Sequence, residues 1–127
     1  STDSTIVRDG FGPYAFAPIA DYGLLRAAVD GAAGKGMRAH VGNIVSSDIF
    51  YHKHGLAAYG ALIEAGVIGV EMEAAALYTM AARHNAKALA ICTMTDCLIT
   101  HEEISAADRQ SSLDDMVTLA LDVAVGA

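Results

Sequence analysis

The stretch Gly66-Val67-Ile68-Gly69-Val70-Glu71-Met72-Glu73-Ala74-Ala75-Ala76-Leu77 decides the fold. Its β-branched run bounded by glycines predicts a strand, and the Ala, Met and Leu segment after it predicts a helix, with two acids at the changeover. Carboxylates at the carboxyl end of a buried strand lie where open α/β sheets place their ligands. The junction is therefore the first candidate site, although it does not name a substrate.

Working outward, Leu56 to Ala65 predicts a short helix with Leu56, Tyr59, Leu62 and Ile63 on its inner side and Gly66 as its C-cap. Glu73 to Asn85 predicts the next helix, with Leu77, Tyr78 and Ala81 inward. Met37 to Val45 and Ala86 to Thr95 predict two further strands. Ile19 to Ala33 has helical spacing, with Tyr22, Leu25, Ala28 and Val29 on one stripe, Asp21 suited to cap it and Gly34-Lys35-Gly36 ending it. Gly10 to Pro18 combines glycine, proline and aromatic residues and predicts a loop that must hide its rings.

A last helix is expected from Ser105 to Ala124, its stripe of Leu113, Met116, Val117, Ala120 and Val123 packed on the sheet. Two overlapping pairs compete to cap it, Thr100 with Glu103 and Ser105 with Asp108, and the first matches the capping-box pattern more closely. Helices alternating with strands in this order predict an α/β fold, a sheet covered by helices.

Composition narrows the function. The 127 residues are 54% apolar and only 18% charged, so there is more to bury than one small domain can cover, and another chain is expected against part of the surface. The net charge of −7, from 15 acids against 8 Lys plus Arg, includes no basic run. Nucleic acid and anionic membrane surfaces are therefore excluded as partners. Cys92 and Cys97 are too few for a disulfide framework and do not form a CxxC pair, and no secretory or membrane-spanning segment is present. The expectation is a cytoplasmic protein with reduced thiols.

Candidate chemical residues recur at strand ends: Phe50, the Glu71/Glu73 pair and Asp96. The carboxyl ends of parallel strands converge on one edge, so residues distant in sequence can line one cleft. Each has an ordinary alternative. Glu71 and Glu73 suit a helix start, Asp96 a turn, and Phe50 a core ring. Arg109 extends the stripe of the last helix and is a candidate to assist an acid at Asp96, or else a side chain that reaches to water. The five histidines have no metal-ligand spacing, and Gly-x-Ser-x-Gly, Gly-x-Gly-x-x-Gly and the P-loop are absent.

Three segments together resemble the small-subunit, hexameric-type purine nucleoside phosphorylases of the nucleoside phosphorylase superfamily. They are Val41-Gly42-Asn43-Ile44-Val45-Ser46-Ser47-Asp48-Ile49-Phe50-Tyr51, then Gly69-Val70-Glu71-Met72-Glu73-Ala74-Ala75, and Ile91-Cys92-Thr93-Met94-Thr95-Asp96 running on to Ala106-Ala107-Asp108-Arg109-Gln110. The resemblance covers nearly the whole chain. Val-Glu-Met-Glu is also shared with related nucleosidases, and its combination with Thr95-Asp96 and Arg109 points to the purine branch.

The resemblance implies a mixed sheet flanked by helices, with residues 1–127 forming the C-terminal portion of a single domain. It implies that Phe50 packs on the purine, that Val70, Glu71 and Met72 wall the base and ribose, and that Glu73 accepts hydrogen bonds from the ribose hydroxyls. Asp96 is implied as the general acid at purine N7, with Arg109 assisting it. Thr95 is implied as a further substrate-binding residue; it stands where the family commonly has serine and keeps the hydroxyl. One residue is added between Tyr51 and Gly66 relative to the familiar pattern.

No cofactor is implied beyond inorganic phosphate as co-substrate, and the partners implied are a purine nucleoside and further copies in a homo-hexamer. The phosphate ligands belong to an N-terminal portion that is missing here, so this chain alone is expected to be inactive. The alternatives are a nucleosidase, a uridine phosphorylase, and a non-catalytic oligomeric ligand-binding module.

Overall fold

The computed structural model describes residues 1–126. They divide into two compact units, residues 1–20 with 41–89, and residues 21–40 with 90 onward.

The first unit has α/β architecture, a small parallel sheet flanked by helices. Its elements are α1 (Thr5–Arg8), β1 (Ile44–Ser46), a 3₁₀ turn (Gly55–Tyr59) leading into α3 (Gly60–Glu64), β2 (Gly69–Glu71) and α4 (Ala74–Arg83). β1 and β2 run parallel, with Ile44 opposite Gly69, Val45 opposite Val70 and Ser46 opposite Glu71. On the other edge of β1, Thr2 forms a parallel bridge to Ser46, so this short strand has neighbours on both sides. The buried residues are Val7, Val45, Ala74 and Ala75, with the polar Ser46, Ser47 and Thr79 among them. Thr79 is accommodated because its hydroxyl donates to the Ala75 carbonyl one turn back, at 2.6 Å.

The strand-to-helix junction forms as the sequence predicts, and the inner face of α4 does not. Leu77 is 47% exposed, while Ala74, Ala75 and Thr79 are buried. Leu77 lies two positions from both Ala75 and Thr79, roughly 200° around the helix, and small residues take the buried face instead of large ones. Leu56 and Ile63, also expected inward, are exposed. Gly66 does end α3: it has φ 78°, its N–H donates to Ile63, and that of Val67 donates to Leu62, both at 2.9 Å. This is a Schellman closure. Asn85, at φ 51°, ends α4 in the same way, with the Ala86 N–H on the Ala81 carbonyl at 2.8 Å.

In the loop 10–18 two of the three rings cover each other, while Tyr14 is exposed, against expectation. Phe11 and Phe16 stack at 4.2 Å between centroids, and the Arg83 guanidinium lies 5.4 Å from the centre of Phe11.

Two strand expectations need correction. Of Met37 to Val45 only the end pairs, as β1, and among the described residues 86–95 form no strand. An apolar run supplies side chains for a sheet, but a ladder also needs a neighbour in register.

The second unit packs α2 (Tyr22–Gly34) against α5 (Ala106–Val125). Asp21 caps α2 by accepting the Leu24 N–H at 2.9 Å, and Gly36 at φ 67° closes its end with Met37 bonded back to Ala32. The buried residues of α2 are Ala28 and Ala32, whereas Tyr22, expected inward, is 74% exposed. Ser105, not Thr100, caps α5, its Oγ accepting the Asp108 N–H at 3.1 Å. The buried residues of α5 are Leu119 and Val123; Val123 belongs to the expected stripe and Leu119 does not, Leu113 and Val117 are exposed, and the packing partner is α2. Gly31 permits this approach, since a Cβ there would lie 3.0 Å from the Leu119 side chain. Lys35 and Asp122 join the ends of the two helices at 2.9 Å.

Candidate functional site

The acids of the opening stretch have different surroundings. Glu71 ends β2 and is half-buried, and both of its oxygens are engaged. Oε1 accepts from the Ser46 hydroxyl, and Oε2 accepts the N–H groups of Glu73 at 2.8 Å and Ala74 at 2.6 Å. The next N–H, that of Ala75, donates to Ser46 Oγ at 2.9 Å. A helix leaves its first N–H groups without intrahelical partners, and here a carboxylate and a hydroxyl from the sheet take three in succession.

Glu73 occupies the N-cap position of α4, yet its side chain makes no cap bond. It is exposed, and its Oε2 receives only the Met72 N–H, at 3.3 Å. A charged acceptor held at a fixed backbone position and open to solvent can bind hydroxyl groups. Val70 and Met72 flank it, 39% and 37% exposed.

Phe50 is not a core ring: it is 70% exposed and meets Tyr51 edge-on at 4.6 Å. A flat apolar face is thereby available in the same unit as Glu73.

In the second unit, residues 95–104 form a tight antiparallel turn. Ile104 donates to Thr95 at 3.0 Å and Cys97 to Glu102 at 2.8 Å, with Asp96 directly opposite Glu103 and His101 at φ 59° inside the turn. Asp96 is exposed, and its Oδ1 accepts from the Thr95 hydroxyl at 2.7 Å. Arg109 is exposed in the first turn of α5, and among the described residues its guanidinium has no ion pair. The sequence suggests for Glu103 a cap with Thr100 or a weak pairing with Arg109. Its place opposite Asp96 follows from the turn geometry, which the sequence did not reveal.

The thiol of Cys97 is held below its usual range by the Thr100 hydroxyl, then by the backbone N–H groups of Thr100 and Ile99, with Glu102 opposing. The same Thr100 hydroxyl lies 3.0 Å from Glu102 Oε2, so two acceptors compete for its one proton. Neither Cys92 nor Cys97 is in a disulfide.

A cavity of about 190 Å³ in the first unit contains none of the predicted site residues; Asp3, Ser47, His52 and Tyr59 are among those that line it. Ser47 Oγ lies 3.0 Å from Asp3 Oδ2 and 3.2 Å from His52 Nε2. This is not a nucleophile relay, because the acid meets the serine instead of orienting the histidine and the serine is 1% exposed. Among the described residues, no three His, Cys, Asp or Glu side chains are grouped to hold a metal ion, and no helix is long and apolar enough to cross a membrane.

The sequence profile of the Phosphorylase superfamily matches residues 3–126, and the chain belongs to that superfamily. Within it, the chain is 50% identical over 124 residues to the DeoD-type purine nucleoside phosphorylase of Jannaschia sp.. It is 46% identical over 129 residues to the proteins of the same name from Listeria welshimeri and Listeria innocua. Each match takes in 98% of this chain and 53% of the relative. The chain spans about half the length of the curated relatives it matches.

Proposed function

We propose that residues 1–127 are the C-terminal portion of a single-domain purine nucleoside phosphorylase, a cytoplasmic homo-hexamer that reversibly converts purine (deoxy)ribonucleosides and phosphate into free base and (deoxy)ribose 1-phosphate. The observation that carries this reading is the 46–50% identity across 98% of the chain to proteins bearing that name. The exposed Phe50 ring and the open Glu73 carboxylate support it, since a purine nucleoside offers a flat base and vicinal hydroxyls.

In this reading Phe50 packs on the base, Val70, Glu71 and Met72 shape the wall beneath base and ribose, and Glu73 accepts from the ribose hydroxyls. The bond between C1′ and the purine nitrogen breaks with its electron pair going to the base. Asp96 delivers a proton to N7 and so neutralises the charge as it develops, with Arg109 assisting and Thr95 holding the Asp96 carboxylate. A phosphate oxygen then bonds to C1′. No other cofactor takes part. The phosphate ligands come from the N-terminal portion, without which the chain does not turn over.

Purified protein assayed with inosine, with and without phosphate, tests the reading. Phosphate-dependent release of hypoxanthine is expected once the N-terminal portion is supplied. Release independent of phosphate would make the protein a nucleosidase, preference for uridine a uridine phosphorylase, and binding without turnover a ligand-binding module.

A further inference from the structure

We propose that Ser46 is a positioning residue for the sugar site, acting through Glu71 to hold Glu73 towards the ribose hydroxyls; the inference rests on the assignment of Glu73 to ribose. Ser46 is 3% exposed and lies directly opposite Glu71 in the parallel ladder. Its Oγ donates to Glu71 and accepts the Ala75 N–H, so one hydroxyl joins the end of β2 to the first turn of α4. Ser46 is itself fixed by its neighbours, since its N–H donates to the Ser1 carbonyl at 2.9 Å and its carbonyl accepts from the Thr2 hydroxyl at 2.8 Å.

The displaced cap is what points beyond simple helix stabilisation. The residue at an N-cap ordinarily satisfies the open N–H groups with its own short polar side chain. Here Glu73 holds that position without capping, and the task passes to Glu71 and Ser46. The carboxylate of Glu73 is thereby relieved of capping and, among the described residues, keeps only the long 3.3 Å contact from the Met72 N–H, while its backbone stays locked on both sides. A long side chain whose root is fixed and whose carboxylate stays exposed is suited to meet a pair of hydroxyls.

Equilibrium binding of inosine and of 2′,3′-dideoxyinosine, which lacks both hydroxyls, tests this on the intact protein with S46A, S46C, S46T and E73Q. S46A is expected to weaken inosine about five- to tenfold, the scale of one ordinary hydrogen bond acting through a second residue, and to leave the dideoxynucleoside unchanged. S46T keeps the hydroxyl and restores inosine binding, and S46C, whose thiol is a weak donor of similar size, reproduces the selective loss if S46A fails to fold. Equal weakening of both ligands by S46A or S46C would make the link merely structural and overturn the inference. So would unchanged inosine binding in these variants while E73Q discriminates the two ligands. An E73Q protein that does not discriminate them would overturn the ribose assignment itself, and the inference with it.

Discussion

Phe50 and Asp96 carry the two ends of the proposed reaction, and each is predicted to fail in its own way. An aromatic ring left 70% exposed retains its stacking face, and F50A should cost about 1–3 kcal/mol of nucleoside binding. That loss should raise KM and leave kcat nearly unchanged, which steady-state kinetics resolves. D96A should lower kcat about 10²–10⁴-fold with little change in substrate affinity. Equal losses of catalysis and binding would remove Asp96 from the general-acid role. Cys97 offers a separate test of local electrostatics, read as the pH midpoint of iodoacetamide alkylation in a C92S background. A thiol held below its usual range forms thiolate at lower pH, so T100V, which removes a stabilising hydrogen bond, should move the midpoint up. E102Q should move it down, because it removes a repelling charge and frees the Thr100 proton for sulfur.

At the scale of elements, α2, α3 and α4 share one ending, with Gly36, Gly66 and Asn85 in the left-handed conformation. A Cβ at Gly66 would meet nothing within 4 Å, so G66A should lose about 1–2 kcal/mol through backbone strain alone, measured by urea unfolding. S105A should cost about 1 kcal/mol through its lost cap. These ends were legible in the sequence because a cap is local: Asp21, Gly66 and the run into Glu71 stand beside the elements they terminate. The buried faces were less legible. In α4 the buried face takes Ala75 and Thr79 in place of Leu77, and in α5 packing on α2 buries Leu119 beside the expected Val123, a choice that depends on Gly31 far away in the chain. The candidate site divides in the same way. The exposed Glu73 and Asp96 stand at junctions that the sequence marks, whereas Ser46 and Glu103 gain their places only through pairing.

For the whole molecule, the surface is the telling quantity. Among the exposed residues are Ile19, Tyr51, Leu121 and Val125, each more than half accessible. Such a surface calls for cover, in keeping with the proposed N-terminal portion and neighbouring subunits. The 127-residue chain alone should therefore bind ANS and show concentration-dependent association in sedimentation, and both signals should fall when the N-terminal portion is supplied. A monomer that binds no dye would contradict this.

The clasp between Ser46, Glu71 and Ala75 also governs the order in which the chain can gain and lose structure. It spans 25 and 29 residues of sequence, while α4 has only 10 residues, too few to persist by itself in water. The helix start and the two-stranded ladder must then open as one cooperative unit. In native-state hydrogen exchange, the amide of Ala75, bonded to Ser46, and that of Ser47, bonded to the Glu71 carbonyl at 2.9 Å, should report a single opening free energy.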